Sequence, residues 1–301
     1  MFARKAYRII VDIDHNELKK PTLCPDMPIN ANVANVIKAM LDQSGKMDEK
    51  KEWMDYCRKI RDKFTATNFV RSQNKIKVNP YYFVDSLTNK LKENDIIVTA
   101  NGSACVVTFQ AAIIKKGQRL YTNSGCASMG YDLPAAIGAH TASRRKVYCI
   151  AGDGSMQMNI QELQTMIHNR MDITIFLFNN DGYHSIRQTQ NSFFGKPLVG
   201  VNSASGISFP DAGKIAKAYG LQYARIEKNI SVSAVLDKVL KMKGPVLCEV
   251  VLNPEQNFEP KLSSRSLGNG RMFTPPLEDM YPFLDRKTLK ECMLIEPIKE
   301  E

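Results

Sequence analysis

The sequence predicts an α/β protein built on a doubly wound, mainly parallel sheet with helices on both faces. Three observations carry this. Lys146-Val147-Tyr148-Cys149-Ile150 and Ile173-Thr174-Ile175-Phe176-Leu177-Phe178 are short apolar runs with β-branched and aromatic residues, which read as buried strands. Between them, Asn159 to Arg170 sets Ile160, Leu163, Met166 and Ile167 at helical spacing, so the second strand returns parallel to the first. Each strand stops at turn-forming residues: Ala151-Gly152-Asp153-Gly154-Ser155 after the first, Asn179-Asn180-Asp181-Gly182-Tyr183 after the second.

The remaining elements follow in order. Ala31 to Leu41 is an apolar-periodic helix through Val33, Val36, Ile37, Met40 and Leu41. Gln43 to Thr67 is charged, with Trp53, Met54, Cys57, Ile60 and Phe64 at helical spacing, and is expected to pack as a bridging helix. Asn79-Pro80 opens a helix over Tyr82 to Leu91, and Asp95 to Thr99 is the first strand of the sheet. Phe193 to Phe209 is rich in Gly and Ser and reads as a mobile flap. Ile215 to Tyr219 and Val232 to Met242 read as helices, Pro245 to Leu252 as the last strand, Pro254 to Pro276 as a loop and Lys287 to Glu301 as an exposed tail.

The chemistry lies in the two turns. Asp153 and Asn180, 27 residues apart, fall at the carboxyl ends of two parallel strands, the edge at which open α/β sheets bind ligands. A carboxylate oxygen, a carboxamide oxygen and the main-chain carbonyl of Gly182 are oxygen ligands of the kind Mg²⁺ prefers, with phosphate oxygens and a water completing an octahedron. Gly152 and Gly154 let main chain approach a diphosphate, and Ser155 and the amides entering the next helix can donate to it. Alone, the Gly-Asp-Gly tripeptide is better read as a structural turn capping a helix; the asparagine pair after a second strand favours the magnesium-diphosphate reading. A dinucleotide fingerprint would need Gly at position 157, where Gln157 stands, and the chain has no Gly-x-x-x-x-Gly-Lys-Ser/Thr string. His184 follows the metal turn directly and is the candidate catalytic residue: it either faces substrate and moves protons near neutral pH or points to solvent.

Gly-Asp-Gly-Ser followed by Asn-Asn resembles the diphosphate motif of thiamine-diphosphate-dependent enzymes of the acetolactate synthase and pyruvate decarboxylase superfamily. Ser128-Met129-Gly130-Tyr131-Asp132-Leu133-Pro134-Ala135-Ala136-Ile137-Gly138-Ala139 is similar to the segment preceding that motif, and Tyr183 to Gln190 and Leu277 to Leu284 look like acetolactate-synthase-like proteins. The resemblance implies the thiamine-diphosphate-binding fold, with thiamine diphosphate and Mg²⁺ as cofactors. It implies a transferase or lyase that decarboxylates or ligates 2-oxo acids. Met129 becomes the apolar prop that bends the cofactor, against the plain reading as a core methionine. Asn101, Gly102 and Ser103 fall where these enzymes receive the cofactor, and Ser128, Met129, Gly152, Asp153, Gly154, Ser155, Asn180, Gly182 and Tyr183 complete the expected cofactor set, with Asp153, Asn180 and Gly182 on the metal. Pyruvate decarboxylases carry a glutamate just after this turn; here Ile186 or Arg187 stands there, which favours a carboligase over a decarboxylase.

The same resemblance sets the expected organisation. Arg8 to Asp14 looks like the last strand of a central domain, so residues 1–45 are expected to be its remnant, 46–75 a linker with the bridging helix, 76–285 the diphosphate-binding domain and 286–301 the tail. Such enzymes run to ~500 residues or more against 301 here, and the glutamate that activates the aminopyrimidine belongs to a domain not seen in this sequence. The expected partners are therefore a 2-oxo acid and a pyrimidine-binding domain from a separate or missing chain, in a dimer or other homo- or hetero-oligomer; a cofactor-binding subunit without activity of its own is the alternative. FAD occurs in full-length relatives, on a central-domain surface of which little is present.

Composition excludes more than it assigns. The net charge is +10, yet stretches such as Lys46 to Glu52 mix signs, with no aromatic-interleaved basic stripe, so no nucleic-acid partner is expected. No apolar run reaches a membrane span. Seven cysteines form no Cys-x-x-Cys pair, which predicts a reduced, cytoplasmic protein.

Overall fold

The computed structural model describes residues 3–45, 48–64, 77–267 and 271–298. The chain divides into two compact units, one of Met1–Lys63 with Pro260–Glu301, the other Phe64–Glu259.

The first unit contains β1 (Ile9–Asp12), α1 (His15–Leu18), β2 (Met27–Asn30), α2 (Val33–Gln43) and α3 (Lys51–Lys63). β1 and β2 pair in parallel. Asn32 caps α2 by accepting the Ala34 N–H at 2.9 Å. The apolar stripe expected of that helix forms, but no residue of α2 is buried, and Val33, Ile37, Met40 and Leu41 stay exposed. Likewise α3 is helical where its spacing predicted, yet it buries nothing: Trp53 and Met54 are exposed, and Tyr56 donates to the Cys292 carbonyl at 2.7 Å. Thr65 to Thr67 of the expected bridging helix lie outside the described residues.

The second unit carries the expected architecture. In chain order it comprises α4 (Pro80–Lys90), β3 (Ile96–Thr99), α5 (Gly102–Ala111), β4 (Arg119–Tyr121), α6 (Asp132–Ser143), β5 (Val147–Gly152), α7 (Asp153–Gln157), α8 (Glu162–His168), β6 (Ile173–Asn179), α9 (His184–Phe193), α10 (Ala212–Tyr219), β7 (Gln222–Ile226), α11 (Val232–Val239) and β8 (Val246–Val251). The six strands form one sheet in the order β4-β3-β5-β6-β8-β7, and every pairing is parallel. β4 and β7 are additions to the sequence reading. Both are edge strands with too few buried residues for a clear apolar run.

A parallel sheet must be covered on both faces, and the two-residue alternation of side chains divides the core accordingly. On one face Ile97, Ile150, Phe176 and Phe178 pack with Tyr81, Phe83 and Leu87 of α4 and Leu236 of α11. On the other, Val98, Cys149, Ile173, Ile175 and Leu177 meet Leu133 of α6, Leu163 and Met166 of α8 and Ile215 of α10. Phe83 stands edge-on to both Phe176 and Phe178, with ring centroids 5.4 and 5.5 Å away. β3 lies between β4 and β5, so the chain leaves it in one direction and returns on the other side. That reversal opens a crevice at the carboxyl ends of β3 and β5.

Four further readings are refined. α7 intervenes before α8, so the helix expected over Asn159 to Arg170 is shorter and begins after a separate turn. In the segment read as a flap, Phe193 and Phe194 are 80% exposed, but Val201 is fully buried and its carbonyl accepts the Tyr183 N–H at 2.9 Å, pinning the segment there. In the first unit, the stretch read as a loop contains a short antiparallel pair, β9 (Arg265–Ser266) with β10 (Met272–Phe273). Lys287 to Glu301, read as an exposed tail, begins within α12 (Arg286–Cys292), whose Leu289 is buried. There, too, buried Asp279 holds Arg286 through two contacts of 2.7 and 2.8 Å. Among the described residues no helix is long and apolar enough to cross a membrane.

Phe176 is fully buried on a central strand, with Phe83 edge-on to it. Phe176→Ala is expected to lower unfolding free energy by about 3–5 kcal/mol, read from urea denaturation at an unchanged m value.

Candidate functional site

The crevice at the switch point is a cleft of about 140 Å³ lined by Asn101, Gly102, Ser103 and Ala104, Met129, Gly152 to Ser155, Asn180 and Gly182 to Ile186. It brings together all the expected site residues but one. Ser128 is exposed and lies outside the lining, because the loop turns at Ala127 in the left-handed region and sends only Met129 inward. Ala104, Ser185 and Ile186 join the lining without having been singled out by a motif.

Three helices begin at this cleft: α5 at Gly102, α7 at Asp153 and α9 at His184. None of the three has a side-chain cap among the described residues, whereas Asn79 of α4 and Asp211 of α10 cap theirs. Uncapped first turns leave N–H groups to a ligand, and the positive ends of these helices favour an anion. Asn101 is held in place by donating from Nδ2 to the Ala127 carbonyl at 2.8 Å.

Asp153 is the centre of the arrangement. Its Oδ1 accepts the Gly154 N–H at 2.8 Å, and its Oδ2 accepts the N–H groups of Asn180 and Gly182, each at 3.1 Å. Burial raises its pKa to about 6, against the pull of those three N–H groups and of the Arg187 charge. Asn180 donates from Nδ2 to Ser103 Oγ at 3.2 Å, while its Oδ1 is buried with no hydrogen-bond partner among the described residues. The Gly182 carbonyl accepts the His184 N–H at 3.1 Å, which leaves it a second lone pair.

The glycines are dictated by space. A Cβ on Gly154 would sit 2.4 Å from the Tyr183 ring, and one on Gly182, at φ +123°, 2.0 Å from the Val201 carbonyl oxygen. Tyr183 is in turn braced edge-on by Phe209.

Ser155 has a structural task beside the one its place in the motif suggested. Its hydroxyl accepts the Gly130 N–H at 2.9 Å, so it ties the Met129 segment to the Gly-Asp-Gly turn. Asp132 is fully buried, accepts the Leu133 N–H at 2.8 Å, and has its pKa raised by that burial.

His184 lines the cleft but is buried, edge-on to Phe258. Its Nδ1 lies 3.3 Å from Arg187 Nη2. A guanidinium only donates, so Nδ1 accepts and the neutral ring carries its proton on Nε2. Burial first, and the Arg187 charge second, push its pKa down to about 4. The imidazole is therefore neutral at pH 7, which corrects the expectation of a group titrating near neutrality. Arg187 is the residue that sequence reasoning passed over. It was noted only for replacing a glutamate, and nothing in its flanking sequence marks it as buried.

An anion-seeking crevice at the switch point of a doubly wound sheet, with a buried carboxylate beside an unsatisfied carboxamide, defines a phosphate-binding α/β protein. Residues 100–250 match the family model described as thiamine pyrophosphate enzyme, C-terminal TPP binding domain, and the chain belongs to that family. It is similar to the large subunit of acetolactate synthase isozyme 1 of Escherichia coli, at 30% identity over 260 residues, which are 86% of this chain and 45% of that one. The acetolactate synthase large subunit of Cyanidium caldarium is 28% identical over 87% of this chain and 45% of its own, and acetolactate synthase 1, chloroplastic, of Nicotiana tabacum is 29% identical over 87% and 40%. The chain thus spans less than half the length of these curated relatives, and the cofactor implied is thiamine diphosphate.

Gly154→Ala is expected to lower thermal stability and to recover part of the loss when Tyr183→Ala is added, a coupling read from a double-mutant cycle. Gly182→Ala meets main chain instead, so it should cost at least about 1–3 kcal/mol with no recovery from trimming side chains.

Proposed function

We propose that this chain holds Mg²⁺ and the diphosphate of thiamine diphosphate, as the C-terminal part of an acetolactate-synthase-like enzyme that decarboxylates or ligates 2-oxo acids. The observation that carries the reading is Asn180 Oδ1. A buried carboxamide oxygen without a donor is costly, and a cation held between it and the Asp153 carboxylate would remove that cost.

The donor set suits a hard cation. Among the described residues no three His, Cys, Asp or Glu side chains converge, so one carboxylate, one carboxamide and the Gly182 carbonyl would serve, with phosphate and water oxygens filling the shell. The uncapped N-termini of α5 and α7 would take the diphosphate oxygens, and Gly152 and Gly154 would let main chain approach them. Met129 lines the same cleft and would lie against the cofactor's rings, where its polarizable sulfur packs well. His184, neutral and carrying its proton on Nε2, would act as a hydrogen-bond donor rather than a cation. When bound, thiamine diphosphate supplies a carbanion and then an electron sink for the carbons of a 2-oxo acid.

A cleft of about 140 Å³ is smaller than the ~300–1,000 Å³ of a typical small-molecule site. This favours a shared site, completed by a pyrimidine-binding domain from another chain or another copy, so that pyruvate turnover depends on that partner.

Calorimetry tests the reading directly. Thiamine diphosphate is expected to bind the wild-type chain in a Mg²⁺-dependent manner, and Asp153→Ala to weaken that binding at least about 100-fold, since it removes the one anionic metal ligand. Binding that ignores Mg²⁺, or survives Asp153→Ala, would refute it. Pyruvate turnover by this chain alone would refute the dependence on a partner.

A further inference from the structure

Arg187 is a buried guanidinium whose hydrogen bonds run to main chain and to one imidazole. Nη2 donates to the Asn180 carbonyl at 3.0 Å and to the Pro254 carbonyl at 3.2 Å, and Nη1 donates to the Asp181 carbonyl at 3.3 Å. It projects from α9 and takes the carbonyls of the turn, whereas the Asp153 carboxylate accepts the N–H groups of Asn180 and Gly182. The turn is thus gripped twice: a buried anion holds its donors, and a buried cation holds its acceptors.

That double grip matters because the turn is unfavourable by itself. Asp181 adopts φ +55° and Gly182 φ +123°, both in the left-handed region. Two consecutive carbonyls, those of Asn180 and Asp181, must hold fixed orientations if Asn180 Oδ1 and the Gly182 carbonyl are to present themselves to one point. A planar guanidinium can bond adjacent carbonyls together, whereas a lysine ammonium is a point charge without a fixed fork. The Pro254 carbonyl anchors the same guanidinium to the chain leaving β8, so the turn is referenced to the sheet and not only to α9.

We propose that Arg187 is a positioning residue for the metal: by clamping the carbonyls of Asn180 and Asp181 it sets Asn180 Oδ1 and the Gly182 carbonyl at cation-binding geometry, without touching cation or cofactor itself. This rests on the magnesium-thiamine diphosphate reading above. The clamp acts on the metal turn, whereas the helix N-termini that would hold the diphosphate belong to α5 and α7. Loss of Arg187 therefore separates metal affinity from diphosphate affinity.

The test uses the full chain, titrated calorimetrically with thiamine diphosphate in the presence and absence of Mg²⁺, for wild type, Arg187→Met and Arg187→Lys. Unfolding of each apo protein is followed by circular dichroism. The gain in affinity on adding Mg²⁺ is expected to fall at least about tenfold in Arg187→Met, the loss of hydrogen bonds from a charged donor. Arg187→Lys should recover part of that gain, and Mg²⁺-free affinity should change less than about threefold in both. If Arg187→Met does not fold, Arg187→Lys alone decides: a reduced Mg²⁺ gain supports the clamp and an unchanged gain refutes it. Equal losses with and without Mg²⁺ would show general structural damage and overturn the proposal, as would a folded Arg187→Met with the wild-type gain. A wild-type chain without any Mg²⁺ gain overturns the cofactor reading and the clamp with it, whereas a wild-type gain left intact in the variants overturns the clamp alone.

Discussion

The Asp153 carboxylate, buried at the end of β5 and accepting three main-chain N–H groups, is the interaction on which the rest of the site depends. Two of those N–H groups come from the turn after the neighbouring strand β6. One side chain therefore joins two strand ends, and the cleft exists only while they stay level. An anion in this position would be costly if it were left alone, and the N–H groups of the turn offset that cost.

Holding the two ends level is the work of the sheet. β5 and β6 run in register from Val147 opposite Ile173 to Gly152 opposite Phe178, six residue pairs. Their side chains alternate into two separate cores, so a slip by one residue would turn each apolar set to the wrong face. The aromatic contacts of Phe83 with Phe176 and Phe178 lock β6 from one side, and Leu163 and Met166 of α8 cover the other. Stability and site geometry thus rest on the same residues, and the strand ends are free to carry chemistry because the strand middles are fully committed to packing.

Around that centre lie two ties of opposite character. Ser155 accepts the Gly130 N–H and so ties the Met129 segment to the Gly-Asp-Gly turn. Arg187 joins the Asn180 and Asp181 carbonyls of the asparagine turn and also fixes the tautomer of His184. The first was half visible in the sequence, since Ser155 belongs to the motif, but its contact with the Gly130 N–H comes from the tertiary structure. The second was not visible. Asn179-Asn180-Asp181-Gly182 announces a turn through its residue types, whereas an arginine five residues beyond the glycine reads equally as a solvent-facing helical charge.

What the sequence determined by itself is local or periodic: the central strands, whose apolar runs need both faces covered; the helices with a clear stripe; and the two polar turns, whose glycines permit only certain backbone shapes. Those features sufficed for the fold class and for the two turns that line the cleft. The tertiary structure alone decided the rest. The edge strands β4 and β7 form because a neighbouring strand offers hydrogen bonds, not because their own side chains are apolar. The stripes of α2 and α3 form as predicted but leave no residue of either helix fully buried, since periodicity specifies a face and not what meets it. Burial decided the charge of His184 and the role of Arg187, because the free energy of an ionisable group is set by its desolvation and its partners, and these come from residues distant in sequence such as Pro254 and Phe258.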